Sequence, residues 1–557
     1  MTRKLLGAVV LLAALPLVSA LAQRAPLPLK YPAHPTTAAI TAADLMTRLY
    51  IFADDSMMGR AAGTIYHDKA TTYIAQELSR LGLQPAGDNG TYFQRIPLLQ
   101  SVATGSTIMA GGRTFSIWAD WLPRDNGPTA RAFDGATAIY GGVWSDSGMI
   151  DPRQTAGKIV VIAVPHGWQV NRGLLTQRYL DAAAVAVVSL DSMPDDARKA
   201  LAEPAVQYRD EVEEAQRRLP PLPAYMYVTN EMATAMLGKP VATMKVGAIG
   251  QIVHGTLSFA TQPAPGSRNV VAIVPGSDPK LRGEYVAIGA HSDHVGTGEP
   301  VDHDSLYAFY HVVRPGGADD GEKPAAPEDW PRIRALLDSL RRAHAPRVDS
   351  IFNGADDDGS GSMAVLEVAE AFAAAPTKPK RSILLVWHVG EELGLYGSQY
   401  FTDHPTVPRD SIVAQINIDM IGRGPAALAP GGGHGDLQII GSRRLSTELG
   451  DLVDAEGKKF NPPFKYDYQY DANGHPEQYY CRSDHYMYAR YGIPVVFLST
   501  GGHPEYHEVT DEPEYIDYDG LARVAQLVYN TAQDIANLDH RLVVDKPKPD
   551  PHAQCVQ

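Results

Sequence analysis

Histidines and carboxylates stand directly after apolar runs at several places in this chain, and that placement is the first sign of chemistry. Tyr285 to Ala290 runs into His291-Ser292-Asp293-His294, and Ser382 to Val389 runs into Gly390-Glu391-Glu392. Ile412 to Ile418 ends at Asp419, and Ile493 to Leu498 leads into a loop with His503, Glu505, Tyr506, His507 and Asp511. Between the first two runs lies Gly354-Ala355-Asp356-Asp357-Asp358-Gly359-Ser360-Gly361. A charge buried at the end of an apolar strand is unfavourable unless it is paired or bound to a cation. Any one of these residues has a plain alternative: a solvated surface histidine, a paired acid, or a charge cluster at a helix start. Four strand ends delivering such groups to one rim point instead to a shared divalent-metal site. Imidazole and carboxylate ligands without thiolate suit catalytic Zn²⁺. Five ligands, three of them carboxylates, suit two ions about 3.5–4 Å apart with one carboxylate bridging. Glu391, a spare carboxylate beside Glu392, stands where a general base is wanted to take a proton from activated water.

The elements that position these groups read as an α/β fold. The runs above, together with Asn269 to Val274, are Val/Ile-rich and alternate with helical patterns such as Ser362 to Ala374. That pattern predicts a mixed, mostly parallel central sheet with helices on both faces, and in such sheets ligands bind beyond the carboxyl ends of the strands. Ile74, Leu78 and Leu81 mark an earlier helix, with Gly82 just past its end. From about Ala130 to Phe259, short apolar runs such as 157–164 and 184–188 alternate with Gly, Pro and Asp, which predicts a small β-rich inserted domain. The expected organisation is a signal peptide over 1–22, an N-terminal part of the main domain over 36–125, the insert over 126–259, the rest of the main domain over 260–545, and a disordered Pro-rich tail over 546–557.

Composition excludes other classes. With 557 residues the chain is too long for one ordinary core. Lys+Arg 49 against Asp+Glu 64 gives a net charge of −15, which argues against nucleic acid and against anionic lipid as partners. The two cysteines, Cys481 and Cys555, cannot build a disulfide scaffold or an all-thiolate zinc site; no partner for Cys481 stands close in sequence, and pairing with Cys555 in the tail stays open. Arg3 and Lys4, the apolar stretch Leu5 to Val18 and Ala20-Leu21-Ala22 read as an export signal with its cleavage site. No later stretch is long and apolar enough to span a bilayer. The expected protein is exported, periplasmic or secreted, with no stable membrane anchor.

The motifs resemble the co-catalytic zinc exopeptidases of metallopeptidase family 28, the bacterial leucyl aminopeptidase type. The matching stretches are 289–294, 354–361, Glu391-Glu392-Leu393-Gly394-Leu395-Tyr396-Gly397-Ser398, Asn417-Ile418-Asp419-Met420, Ser483-Asp484-His485 and 506–511. Gly59-Arg60-Ala61-Ala62-Gly63 through 81–87 is similar to the family's opening region, and Gly157-Lys158-Ile159-Val160 to a protease-associated domain. The resemblance implies an aminopeptidase with two zinc ions per chain and a bridging hydroxide as nucleophile. His291 and Asp419 would hold one ion, Glu392 and His507 the other, and Asp357 would bridge. Glu391 would be the general base, and Asp293 would orient His291 through its second ring nitrogen. It also implies a cis peptide after Asp357. A carboxypeptidase or dipeptidase of the same family would share these residues. A glutaminyl cyclase would use one zinc, and a receptor-like module would be expected to lose ligands. One departure stands out: 66 residues separate His291 from Asp357, more than the family's usual short connection. The extra segment, 295–353, reads either as a wall or lid of the substrate cleft or as a solvent-exposed decoration.

Overall fold

The computed structural model describes residues 27–126, 131–144, 148–165, 170–202, 204–209, 221–321, 323–425 and 435–557. The expected export signal over 1–22 lies outside them.

Alternation along each strand explains the central layer. Val286, Ile288 and Ala290 enter one core together with Ile383, Leu385 and Trp387. Ala287, Leu384 and Val386 point to the other. Strands apolar on both sides must be covered on both sides. Helices Ala42–Phe52, Ile65–Arg80, Gly361–Ala374, Thr447–Lys459 and Tyr518–Asn537 cover one face, and Tyr396–Asp403 and His485–Ala489 the other. The fold is therefore the mixed α/β architecture expected from sequence.

The sheet has nine strands. Tyr285–His291 lies between Ser382–His388 and Ile412–Ile418, and Val495–Ser499 follows, all four parallel. Arg268–Val274 pairs antiparallel outside Ser382–His388, and Leu437–Ile440 antiparallel outside Val495–Ser499. Parallel strands put their carboxyl ends on one rim. In register, His291 lies opposite His388, Gly289 opposite Asn417, and Ile418 opposite Leu498. The four post-strand segments singled out above thus leave the sheet side by side.

The β-rich region is larger than expected. An eight-stranded sheet runs in the order Arg113–Phe115, Thr107–Ala110, Ile249–Thr256, Ala136–Val143, Ile159–Ala163, Ala184–Val188, Ala224–Val228, Trp121–Arg124. Leu98–Ala103 forms a smaller sheet with Ala205–Tyr208 and Phe259–Pro263. A boundary between 125 and 126 therefore cuts through the eight-stranded sheet, whose first strand in the chain begins at Thr107. The cause is packing: Trp121 and Phe115 are buried against Ala186, Met226 and Met236, and Trp121–Arg124 completes the sheet edge against 225–228. Strands this short carry little periodicity of their own.

The tail is also corrected. Cys555 forms a disulfide with Cys481, 74 residues away in sequence. The Gln557 side chain accepts from Tyr480 N at 2.9 Å and donates to Tyr470 O at 2.6 Å. The end of the chain is fastened to the main domain rather than loose. Within 295–353, Gly296–Asp302 and Val348–Phe352 form a two-stranded ribbon enclosing helices His303–Val313 and Trp330–Ala343. Ile333 is buried there, whereas Leu336, Leu337 and Leu340 are half-buried. No helix among the described residues is long and apolar enough to cross a membrane.

Candidate metal centre

Asp357 occupies the centre of the rim. Its Oδ1 lies 3.0 Å from His291 Nε2 and its Oδ2 2.9 Å from His507 Nε2. His291 Nε2 is also 3.6 Å from Asp419 Oδ1, and His507 Nε2 is 2.9 Å from Glu392 Oε2. One carboxylate thus faces two groups with opposite oxygens, which is the disposition a bridging ligand requires. The two groups are His291, Asp357 and Asp419, and Asp357, Glu392 and His507 with His294. All five residues expected as ligands come together.

Local chemistry explains how the acidic loop holds one carboxylate at the centre. Asp358 is turned away: it accepts from His291 N at 3.1 Å, Gly361 N at 2.9 Å and Met420 N at 3.3 Å. Asp356 accepts from Gly422 N at 2.6 Å. Asp511 in turn accepts from the amides of Asp356 and Asp357 at 3.0 and 3.1 Å. The flanking acids bind the loop to neighbouring strand ends, and Asp357 is left for the centre. Gly354 makes the turn possible. Its φ is +54°, and a Cβ would sit 2.4 Å from Asp357 O and 2.5 Å from the His294 ring. Met420 and His507 also hold positive φ values of 59° and 56° without being glycine, a backbone strain that concentrates at this site. The Asp357–Asp358 peptide is cis.

Three buried side chains complete the surroundings. Ser483 Oγ donates to Asp419 Oδ2 at 2.7 Å and accepts from Asn417 Nδ2 at 2.9 Å. Arg60 donates to the carbonyls of Asn353, Gly354 and Phe52 at 2.5, 2.9 and 3.2 Å, so it holds the chain entering the acidic loop. Asp293 is placed differently from expectation. His291 Nδ1 faces the Asp293 backbone carbonyl at 3.1 Å, while the carboxylate is 3.8 Å away and accepts from Glu391 N at 3.3 Å. The turn after the strand brings the main chain of Asp293 round to the ring before its side chain, so orientation of His291 falls mainly to a carbonyl.

His294 is the member that sequence reasoning left without a role. Its Nδ1 is 2.8 Å from Glu392 Oε1 and 3.8 Å from Asp357 Oδ2, and its buried Nε2 has no hydrogen-bond partner among the described residues. The signal was a second histidine three residues after the first, in a segment that leaves a strand end.

The electrostatics fit a cation-binding site. Among the described residues, no Lys or Arg is ion-paired with Asp357, Glu391, Glu392 or Asp419; the close partners of Asp357, Glu392 and Asp419 are imidazoles. Burial opposes protonation of His507, yet the hydrogen bonds to Asp357 and Glu392 push it up to about 11. Burial raises Glu391 well above the usual carboxylate range, His291 opposes this, and Asp419 and Glu392 add to it. A cluster that holds protons this tightly is short of positive charge, and divalent cations on these donors would supply it. Beside the cluster lies an open-mouthed chamber that takes in about 500 Å³ of space, part of it open to solvent. Met420, Tyr479 and Phe497 give it apolar walls, and Glu391 stands where chamber and cluster meet. Asp319, from the inserted segment, and Arg482 also border it.

Residues 332–532 match the model of peptidase family M28. Over that span the chain is similar to peptidase family M28. The matched span contains Asp357, Glu391, Glu392, Asp419 and His507, and it begins after His291 and His294. Among similar curated proteins, leupeptin-inactivating enzyme 1 of Streptomyces exfoliatus is 42% identical over 97 residues, 17% of this chain and 22% of the relative. A probable leucine aminopeptidase of Arthroderma benhamiae is 28% identical over 229 residues, 37% of this chain and 59% of the relative. In both, the match spans less than two thirds of the relative's own length. Two solved structures are similar over most of their length. One is an aminopeptidase from an Aneurinibacillus species, with TM-score 0.47 and 17% identity, covering 91% of this chain and 97% of that one. The other is a zinc aminopeptidase from Bacillus subtilis, with TM-score 0.48 and 16% identity, covering 90% and 96%.

Proposed function

We propose that this chain is an exported, zinc-dependent aminopeptidase that hydrolyses N-terminal residues from peptides. The observation that carries the reading is the Asp357 carboxylate, with one oxygen toward His291 and the other toward His507. His291, Asp357 and Asp419 would hold one Zn²⁺, and Asp357, Glu392 and His507, with His294 beside them, a second. Zinc bound there supplies Lewis-acid activation of water and of the scissile carbonyl. The chain's own groups do the rest. Glu391, at the border of chamber and cluster, takes a proton from the attacking water on its carboxylate and delivers it to the leaving amine nitrogen. Ser483 holds Asp419 in place through its 2.7 Å hydrogen bond. The apolar walls receive the side chain of the N-terminal residue and exclude water from it.

A free amine suits this site better than a free carboxylate. Arg482 is the one cationic side chain bordering the chamber among the described residues, and both Asp319 oxygens occupy it at 3.1 and 3.2 Å. A carboxypeptidase would need such a cation for the C-terminal carboxylate. The Cys481–Cys555 disulfide supports export, because disulfides persist in oxidising compartments. The test is hydrolysis of L-leucine 4-nitroanilide and of an N-blocked C-terminal reporter peptide, with and without chelator. The reading expects chelator-sensitive cleavage of the first only. Glu391→Gln should lower kcat by about 10²–10⁴-fold with zinc still bound, the range for loss of a general base. Near-normal activity in that variant would remove Glu391 from the mechanism.

A further inference from the structure

The segment between His291 and Asp357 reaches the chamber through one turn, Gly317–Asp320. This turn is held firmly against the loop that carries His507. Ala318 N donates to Tyr506 O at 3.1 Å. Gly317 has φ +62°, and a Cβ on it would meet His503 O at 2.6 Å and Tyr506 O at 2.8 Å, so only glycine permits the close approach. The end of the helix before it adds two contacts to the same loop: His311 Nε2 lies 3.0 Å from Glu505 Oε1, and Arg314 pairs with Glu508 at 3.1 Å. Asp320 caps the turn from within by accepting from Gly316 N at 2.7 Å.

The anchored turn presents Asp319 to Arg482. Asp319 accepts from Arg482 Nη2 through both oxygens, at 3.1 and 3.2 Å, and from Nη1 at 3.2 Å. Arg482 is steadied from its own side, with its guanidinium 5.6 Å from the Tyr479 ring and with neighbouring Cys481 in the disulfide. Since both partners border the chamber, the inserted segment decides the charge its wall offers. Without Asp319, Arg482 would keep only a long 3.5 Å contact from Nη1 to Glu477, and its Nη2 side would be offered to any substrate carboxylate that entered. With Asp319, that side is filled.

We propose that Asp319 is a specificity-determining residue: by neutralising Arg482 it closes the chamber to carboxylates and favours apolar N-terminal residues over Asp and Glu. The proposal rests on the aminopeptidase reading and adds to it a role for the inserted segment. The segment is then a wall of the cleft rather than a decoration.

The experiment compares kcat/KM for L-glutamate 4-nitroanilide and L-leucine 4-nitroanilide in the wild type, Asp319→Asn and Asp319→Asn/Arg482→Gln, all as the full chain loaded with zinc. Asparagine keeps the shape of Asp319 and removes its charge. The Glu-to-Leu ratio should rise by about tenfold in the single variant, mainly through KM, as expected when a partly exposed guanidinium gains a carboxylate partner. In the double variant the ratio should fall back towards the wild-type value. A ratio unchanged in Asp319→Asn overturns the proposal, and so does a rise that survives loss of Arg482. Failure of the aminopeptidase reading shows separately, as a wild type inert on the leucine substrate. In that case, calorimetric titration with L-glutamate and L-leucine reads the pair directly, and no gain in relative glutamate affinity in Asp319→Asn overturns it.

Discussion

Arg60 should matter more for the metal centre than its distance in sequence suggests. It is fully buried, stacks on Phe52 at 4.5 Å and donates to three carbonyls, those of Phe52, Asn353 and Gly354. Burial lowers its pKa to about 10, against the pull of Asp511 and Asp357, so it stays charged at neutral pH. Arg60→Met removes the charge and leaves those carbonyls without its donors. Each charged hydrogen bond contributes about 1.5–3 kcal/mol, and recovery of the arginine's own desolvation offsets part of the loss. A net destabilisation of about 4 kcal/mol is expected, in line with breaking a buried charge network. For a unit of this size that lowers Tm by about 5 °C. Because the Gly354 carbonyl leads into the acidic loop, zinc affinity should fall as well. Arg60→Lys keeps the charge but cannot reach three carbonyls in a fixed fork, so it should recover less than half the loss. The assay is scanning calorimetry with and without chelator, plus zinc content after dialysis. A Tm within about 1 °C of wild type, with full zinc retention, would refute the reasoning.

Two further outcomes follow from buried groups. Burial lowers His67 to about 3, while its ring binds Gly266 O at 2.6 Å and Ser292 Oγ at 3.0 Å. A depressed histidine contributes stability that is present above its unfolded value of about 6.5 and is lost as pH falls towards the folded one. Between pH 7 and 5 the wild type should therefore lose about 2 kcal/mol more than His67→Gln in denaturant titrations; parallel curves would show that the ring is not kept neutral. The Cys481–Cys555 bridge closes 74 residues of chain, so the double serine variant should lose about 4 kcal/mol. It should also open the last residues, Val556 and Gln557, to trimming by a carboxypeptidase, whereas a tail equally resistant with and without the bridge would count against its anchoring role.

What the sequence made legible follows from how each signal is written. The strands 268–274, 285–291, 382–388 and 412–418 are continuous apolar runs, so their positions and the residues after them could be read locally. Parallel pairing then brings His291, Asp357, Glu392, Asp419 and His507 to one rim. His294 was harder, because a histidine beside a ligand looks the same in sequence whether it meets solvent or Glu392. Arg60 has the composition of a surface residue, and only the fold shows it capping Asn353 and Gly354. The strands of 98–124 are short and partly exposed, and their place is set by partners far along the chain, such as 225–228 and 253–256. The same holds for Cys555 and Gln557, whose partners 481 and 480 become neighbours only after folding.

The proposed function depends on Asp357 being shared by two cations. Zinc content of the purified full chain, by elemental analysis after exhaustive dialysis against metal-free buffer, tests this most directly. The account predicts two zinc ions per chain in the wild type, one in each of His291→Ala and His507→Ala, and none retained in Asp357→Ala. A wild type with no zinc, or with a single ion indifferent to loss of His507, would contradict it.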